Sequence, residues 1–353
     1  MINSIKLEGF RNFKLKRFEF GADTSLILGP NASGKTNLLE SLHLLSTAKS
    51  FKAKIEEDVI NYDKDISRIS GQISNSGSEK DNLEIIMTRG LIDIGAARPE
   101  KAPRKKLLLN GVSKRMIDFA GNFRVVLFGP WDMDLVTESP SGRRRFLDGV
   151  LSQVDREYRR SILSYEKGIR QRNRVLWNIR EGNVGRDRLL FWDQLLIKNG
   201  DYINKCRQEF IEYTNGNPQS IISNYQLQYD PSIISEGRLF QYKREEVAAA
   251  TTLVGPHRDD FVFKKDEKSL SSFGSRGEQR MGVLWLKMAE LSFIEEKIEE
   301  RPTLLLDDIF SELDDDHREI VMQIAVSQQT IITAVNDGFA KNLKKVERID
   351  LMG

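Results

Sequence analysis

Three short motifs bring together the glycine, lysine, hydroxyl and carboxylate groups that phosphate chemistry requires. The first motif, at residues 29–36, fits the pattern G-x-x-x-x-G-K-[ST]. In such a loop, backbone N–H groups surround the phosphates, the lysine neutralises the β and γ charges, and the hydroxyl binds magnesium. The residues predicted to bind ATP through this loop are Gly29, Pro30, Asn31, Ala32, Ser33, Gly34, Lys35 and Thr36.

The second motif is a run of three leucines, residues 304–306, that ends in Asp307 and Asp308. The run is apolar on both faces, as are the strands of parallel sheets. Such strands deliver side chains to the ligand crevice at their carboxyl ends, so we expect Asp307 to hold magnesium together with Thr36. Asp308 then polarises the attacking water. The alternative is that Asp308 only caps the following turn.

The third motif, Ser275-Arg276-Gly277-Glu278, precedes an amphipathic helix at residues 280–294. A small-residue loop at a helix N-terminus is an anion site. One lysine loop is enough for one nucleotide, so a second anion site predicts contact with the γ-phosphate that another subunit holds. The alternative is an ordinary N-cap. The position of the motif shortly before the acidic strand favours the nucleotide role.

The elements that position these motifs follow from the hydrophobic pattern. Alternation through the first 28 residues predicts three short strands before the glycine loop, and leucines at helical spacing predict a helix after it. Residues 58–112 are typical of an antiparallel β extension, with a type I′ hairpin at Asn110-Gly111. Residues 142–207 are arginine-rich with helical periodicity. Strand patterns return at residues 253–255, 261–263, 303–306 and 330–335.

This order of elements predicts an α/β fold in which one domain is built from both ends of the chain. We expect that domain to cover residues 1–135 and 250–353. A mainly helical insert is expected over residues 136–249.

Composition limits the function classes that remain. The 353 residues carry 54 Lys and Arg against 52 Asp and Glu, a net charge of +2, so only a local patch would bind a polyanion. One cysteine and three scattered histidines exclude a disulfide scaffold and argue against a zinc enzyme. We predict that residues 257–260, which begin with His257, form a hydrogen-bonded corner that braces the lobes, with catalysis as the less favoured alternative. No signal-peptide or membrane-spanning pattern is visible, so we expect a cytoplasmic protein without a membrane partner.

The glycine loop, the Ser-x-Gly-Glu signature and the Asp-Asp strand occur in an order that resembles the ABC-type P-loop ATPase heads of transporters, SMC proteins and recombination proteins. Within that superfamily the chain resembles the RecF family of bacterial DNA-repair ATPases. The resemblance covers most of the chain. The segments that carry it are residues 9–13, 139–148, 171–173, 255–260 and 307–314.

The resemblance implies ATP and Mg²⁺ as cofactors and a weak, DNA-stimulated ATPase that acts as a switch. It implies a homodimer formed around two ATP molecules, each held between the lysine loop of one subunit and the signature of the other. The implied catalytic residues are Lys35 and Asp308, the metal ligands are Thr36 and Asp307, and Arg11 and Asn12 join the ATP site. The implied signature residues are Ser275, Gly277 and Glu278, and the implied D-loop residues are Ser311 and Asp314.

A cellular role in DNA replication, recombination and the SOS response is also implied by the resemblance. Proteins of this kind bind duplex DNA at single-strand gaps and cooperate with RecR and RecO in loading RecA onto SSB-coated DNA. ABC transporters have a glutamate where Asp308 stands and a histidine after the following strand, where this chain has Asn336. Both departures are consistent with weak hydrolysis. The best positional candidate for the Q-loop, residues 128–132, contains no glutamine.

Two basic clusters compete as the DNA-binding surface. Residues 143–188 contain thirteen Lys or Arg against six Asp or Glu. The first cluster begins this segment with Arg143, Arg144 and Arg145, and the second is Lys49, Lys52 and Lys54. A solvated surface explains either cluster equally well, and an acidic protein partner is a further alternative for residues 143–188.

Two other ABC-type assemblies are the alternative functions. The ATP-binding half of a transporter is disfavoured by the β extension and the missing histidine. A nuclease head is disfavoured because we expect no cleavage domain after residue 353.

Overall fold

The chain folds into two compact units. The first unit combines residues 1–130 with residues 294–353, and the second comprises residues 131–293. The computed structural model describes residues 1–53, 55–74, 80–92, 100–216, 222, 224–311, 313, 315–338 and 346–351.

The elements occur in an order that returns to the first unit at the end of the chain. The first unit begins with β1 (Ile2–Phe10), β2 (Phe13–Glu19), β3 (Thr24–Leu28), α1 (Lys35–Thr47), β4 (Ile66–Ser74), β5 (Lys80–Thr88), β6 (Leu91–Ile92), β7 (Glu100–Lys101), β8 (Lys105–Leu109), β9 (Val112–Lys114), α2 (Met116–Phe119) and β10 (Val125–Phe128). The second unit contains α3 (Asp134–Thr137), α4 (Pro140–Val154), α5 (Arg156–Arg180), α6 (Leu190–Gly216), β11 (Tyr225–Asp230), α7 (Glu236–Gln241), α8 (Lys243–Ala249), β12 (Asp260–Lys265), β13 (Lys268–Ser269), α9 (Leu270–Phe273) and most of α10 (Arg276–Ile298). The first unit is completed by β14 (Thr303–Asp307), α11 (Asp315–Ala325), β15 (Thr330–Ala334) and β16 (Val346–Asp350).

Two sheets contact α1 in the first unit. One is antiparallel, with the strand order β2-β1-β4-β5-β8-β9, and the other is parallel, with the order β10-β14-β15-β3-β16. Because α1 contacts strands of both sheets, ten of its thirteen residues are buried. The parallel sheet places the carboxyl ends of β3, β14 and β15 along one edge, which is where ligands bind in such sheets.

The second unit combines a helical hairpin, α5 and α6, with a three-stranded sheet in the order β11-β12-β13. Arg172 is 1% exposed and donates to carboxylate oxygens of Asp193 and Glu246, each at 2.7 Å. Arg207, also 1% exposed, donates to Asp148 and Asp259, each at 2.8 Å. A guanidinium group is buried only when charged partners offset its desolvation. These ion pairs join α5 to α6 and α8, and α6 to α4, inside the second unit.

Most of the predicted elements are present, and two differences have clear causes. Asn110 and Gly111 have φ angles of 51° and 77°, which confirms the type I′ hairpin. The strand predicted at residues 253–255 is wrong, because Gly255 has a φ of 123° and Pro256–Arg258 form a 3₁₀ turn. Residues 250–293 fold with the second unit, since β12 pairs with β11. Among the helices of the described residues, none combines the length and the hydrophobicity of a membrane span.

Candidate nucleotide site

The glycine loop lies between the end of β3 and the first turn of α1. Ala32 and Gly34 have left-handed φ angles of 66° and 105°, and such residues direct backbone N–H groups toward a concave side. The Lys35 side chain is buried, and its Nζ donates to the carbonyl oxygens of Gly29 (2.6 Å) and Pro30 (2.9 Å). The ammonium group therefore lies within the loop, where it can neutralise phosphates.

The turn between β1 and β2 packs on this loop and explains the glycine at position 34. A Cβ atom on Gly34 would lie 2.6 Å from Nδ2 of Asn12 and 2.9 Å from Cζ of Phe13. Asn12 Nδ2 donates to the Ser33 carbonyl oxygen (3.0 Å), and Asn12 Oδ1 accepts from Asn37 Nδ2 (2.8 Å). Ser33 Oγ is buried and has no hydrogen-bond partner in the part of the chain that the structure describes. A polar ligand atom would satisfy it.

Arg11 belongs to the same turn, but its guanidinium group contacts protein groups. Nε and Nη2 donate to the two carboxylate oxygens of Glu40, at 2.8 and 2.7 Å, and Nη1 donates to the carbonyl oxygen of Asp58 at 2.7 Å. Glu40 is fully buried on α1, so the bidentate pair offsets the cost of burying its charge. These contacts hold the turn that carries Asn12. The role of Arg11 in ATP binding stays a prediction.

Asp307 ends β14 and contacts the first turn of α1. Its Oδ2 accepts from Thr36 Oγ1 (2.7 Å), and its Oδ1 accepts from Thr333 Oγ1 (2.6 Å). The second contact follows from the register, because Asp307 pairs with Thr333 where β14 and β15 run parallel. The two predicted metal ligands, 271 residues apart in sequence, thus lie within hydrogen-bond distance.

The donor set of Thr36 and Asp307 fits magnesium. Hydroxyl and carboxylate oxygens are hard ligands, and Mg²⁺ in nucleotide sites takes one or two protein ligands together with phosphate oxygens and waters. Over the described residues, no group of three or more His, Cys, Asp or Glu side chains could hold a metal. Thr36 and Asp307 therefore suit a metal that the triphosphate itself helps to bind.

Asp308 has a left-handed backbone, with a φ of 50°. Its N–H donates to the carbonyl and hydroxyl oxygens of Thr333, at 3.1 and 3.2 Å, and its carbonyl oxygen accepts from Ser311 Oγ at 2.7 Å. This conformation is uncommon for a residue other than glycine, and contacts on both sides hold it here. Asp308 directly follows the last residue of β14. Its role with the attacking water stays a prediction. Asp314, predicted for the D-loop, lies outside the described residues.

Ser275 stands immediately before α10 and forms a capping box with Glu278. The N–H and hydroxyl of Ser275 donate to Glu278 Oε2, at 2.8 and 3.0 Å, and the Glu278 N–H donates to Ser275 Oγ at 3.3 Å. The other carboxylate oxygen accepts from Lys265 Nζ at 2.9 Å. That bond is the main reason why the pKa of Glu278 falls to about 2. The signature therefore has the N-cap geometry that was the alternative interpretation of this motif, and its anion-binding role stays a prediction.

Gly277 lies in the first turn of α10, and the space around it differs from the space around Gly34. A Cβ atom on Gly277 would meet nothing within 4 Å, and both Gly277 and Ser275 are exposed. The packing of this chain therefore does not require a glycine there. An unrequired glycine in a helix leaves room for the close approach of another molecule.

The three arginines predicted to bind DNA have different environments. Arg143 is buried and donates to both carboxylate oxygens of Asp260, at 2.6 and 3.0 Å. Arg144 donates to the carbonyl oxygen of Asp259 at 2.8 Å, and burial lowers its pKa. Arg145 is exposed. Only Arg145 therefore presents its charge fully to solvent.

The rival lysine cluster lies close to the glycine loop. Lys49 and Lys52 are exposed, and Lys52 Nζ donates to Oδ1 of Asn37, one residue after Thr36, at 3.3 Å. Lys54 lies outside the described residues. Lys52 thus borders the predicted ATP site.

Three residues of the site were not identified from the sequence. Thr333 interrupts an apolar run, and that pattern is a usable signal because a polar residue in a buried strand needs a partner. Glu40 carries a similar signal as an acidic residue among leucines of α1. Lys265 carries none, since lysines are common at strand ends.

Comparisons with known proteins point to one family over nearly the whole chain. The family model described as RecF/RecN/SMC N terminal domain matches residues 1–352. A protein of Agathobacter rectalis named DNA replication and repair protein RecF is 34% identical over 99% of this chain and 96% of its own length. A protein of the same name from Herpetosiphon aurantiacus is 34% identical over 99% of this chain and 97% of its own length.

Solved structures support the same fold. A structure of the recombination mediator protein RecF-ATPrS in the RecFOR pathway has a TM-score of 0.86, with 30% identity over 99% of this chain and 96% of that chain. The Smc head domain of Pyrococcus furiosus, at 14% identity, has a TM-score of 0.53 over 99% of this chain and 94% of that chain. The predicted fold class is confirmed: an ABC-type P-loop ATPase head with an antiparallel β extension and an inserted helical lobe.

Proposed function

Because the chain belongs to the RecF/RecN/SMC N-terminal domain family, with RecF proteins of DNA replication and repair among its relatives, we propose that it is an ATP-operated recombination mediator. The observation that carries this proposal is the 2.7 Å contact between Thr36 and Asp307, which joins the glycine loop to the acidic strand. ATP binds through residues 29–36, with Lys35 on its β- and γ-phosphates. Thr36 and Asp307 would hold Mg²⁺, which would supply positive charge to neutralise the phosphates.

The nucleotide acts by joining two copies of the chain. The exposed Ser275 and the open position at Gly277 support a signature turn that contacts the γ-phosphate held by the partner's lysine loop. Asp308 then polarises the attacking water, and slow hydrolysis returns the protein to monomers. The energy of ATP is in this way used for assembly.

The dimer binds duplex DNA at the edge of single-strand gaps, where it cooperates with RecR and RecO in loading RecA onto SSB-coated DNA. The exposed Arg145, Lys49 and Lys52 are the predicted basic residues that face solvent, and we assign phosphate contacts to them. If six phosphates are contacted, three by each subunit of the dimer, the logarithm of the binding constant falls with the logarithm of salt concentration at a slope of about −5.

Light scattering with and without ATP and Mg²⁺ tests the dimer. We expect the wild-type mass to double with ATP. Ser275→Arg should bind a fluorescent ATP analogue normally and remain a monomer, while the control Ser272→Arg, at an exposed serine of α9, should dimerise. A Ser275→Arg protein that still doubles in mass would remove the role of the signature in trans.

A DNA titration tests the second half of the proposal. Duplex, single-stranded and gapped DNA are compared with and without ATP at two salt concentrations. Tightest binding to gapped DNA in the presence of ATP is expected. Equal affinity for all three substrates in both nucleotide states would contradict the mediator role.

A further inference from the structure

The signature turn carries a negative charge where the proposed function requires a phosphate. Glu278 accepts two hydrogen bonds from Ser275, at 2.8 and 3.0 Å, so its carboxylate is held directly beside the serine hydroxyl. A phosphate that reached the same hydroxyl would be repelled by this carboxylate, because like charges repel at short range. A capping carboxylate therefore stabilises the helix start and at the same time opposes the approach of a nucleotide.

Lys265, at the end of β12, contacts this carboxylate from the other side. Its Nζ lies 2.9 Å from Glu278 Oε1 and 5.6 Å from the ring centre of Tyr225. Tyr225 Oη in turn donates to the backbone carbonyl oxygen of Glu278 at 3.2 Å. Lys265 of β12 and Tyr225 of β11 thus both contact Glu278, the capping-box partner of Ser275.

We propose that Lys265 is a charge-compensating residue: it neutralises Glu278 so that the Ser275 turn can accept the γ-phosphate bound by a second copy of this chain. This rests on the proposed ATP-dependent dimer. Lys265 touches no nucleotide itself and acts through Glu278. A merely structural role, in which Lys265 only holds the helix start, makes different predictions.

Four proteins separate the two roles: wild type, Lys265→Met, Glu278→Gln and the double variant. Glutamine can replace glutamate in a capping box but carries no charge. We expect Lys265→Met to weaken ATP-dependent dimerisation at least tenfold and Glu278→Gln to restore it in the double variant. The Lys265→Met defect should also shrink at higher salt, because ions screen the repulsion.

Lys264→Met is the matched control. Lys264 is the preceding residue of β12, and its Nζ pairs with Glu267 at 3.8 Å instead of with Glu278. This variant removes the same charge from the same strand, so its dimerisation should match the wild type. Thermal unfolding by circular dichroism checks that all variants are folded.

Sedimentation of each variant across a range of ATP concentrations gives the dimer constants, and fluorescent ATP binding gives the monomer affinity. A wild type that stays monomeric with ATP overturns the proposed function, and this inference with it. If the wild type dimerises and Lys265→Met dimerises equally well, only the inference fails. A double variant as defective as Lys265→Met would mean that Lys265 supports the turn mechanically, which also overturns charge compensation.

Discussion

The glycine loop and the signature turn each have a glycine near a helix N-terminus. Only the glycine of the loop is enclosed by side chains of the same chain. At the glycine loop, the space beside Gly34 is filled by Asn12 and Phe13, and Thr36 is bonded to Asp307. At the signature turn, the space beside Gly277 is open.

Packing within the chain thus requires the glycine at position 34 but does not require the one at position 277. A side chain at position 34 would collide with atoms of the same chain. A side chain at position 277 would project from the surface of the chain and meet only an incoming partner. The proposed dimer would place the partner's nucleotide at this open position, whereas the glycine loop is enclosed by contacts within the chain.

The largest expected effect comes from the glycine loop. Lys35→Met removes the charge that lies inside the loop. ATP affinity should fall by at least about a hundredfold, since the lysine is proposed to contact two phosphates and each hydrogen bond to a charged group is worth about 1.5–3 kcal/mol. Dimerisation and hydrolysis should be lost with it. Calorimetric titration with ATP measures the affinity. Near-normal binding would mean that the loop does not hold the phosphates through this lysine.

Asp308→Asn should keep ATP binding and dimerisation but slow hydrolysis by about a hundredfold, the typical contribution of a positioned general base. The variant should therefore accumulate as the ATP dimer. Phosphate release under single-turnover conditions measures the chemical step, with light scattering on the same sample. Normal turnover would assign the general base to another residue.

The glycine comparison itself is tested by Gly277→Ala against Gly34→Ala. Gly277→Ala should leave the melting temperature unchanged or slightly raised, because alanine favours helix, while dimerisation with ATP falls about tenfold. Gly34→Ala should destabilise the fold by about 1–3 kcal/mol, because φ at this residue is 105° and the Cβ position is occupied. If Gly277→Ala dimerises like the wild type, the open position has no intermolecular role.

The smallest expected effect concerns the predicted corner at His257, a residue of the second unit. Its Nε2 donates to the Thr252 carbonyl oxygen (3.1 Å), so in the neutral ring Nδ1 accepts from Tyr165 Oη (3.0 Å). Burial lowers the pKa of His257 from 6.5 to about 4. The folded state thus holds the proton more weakly than the unfolded chain.

Stability should consequently fall as pH decreases through 6.5 and level off near 4. Between pH 7 and 5.5 the loss attributable to His257 should be about 1 kcal/mol. Urea unfolding at several pH values measures it, with His257→Asn as the comparison. An unchanged pH profile in that variant would show that the histidine does not titrate in this range.

Much of the fold could be read from local patterns. The β-hairpin at Asn110-Gly111 and the apolar strand at β14 follow from turn chemistry and from burial on both faces, which depend on adjacent residues alone. Residues 250–293 were predicted to belong to the first domain, and that prediction was wrong. Their membership of the second unit depends on pairing between β11 and β12, and the sequence pattern of one strand does not name its neighbour.

The sequence by itself determined which residues are candidates for the chemistry: the glycine loop, the acidic strand end and the signature serine are recognisable because each needs particular residue types at a fixed local spacing. Only the tertiary structure decided which side chains support them. The contacts of Asp307 with Thr333, Glu40 with Arg11 and Glu278 with Lys265 join residues from different elements. Such partners are set by sheet register and helix packing, which no local pattern encodes.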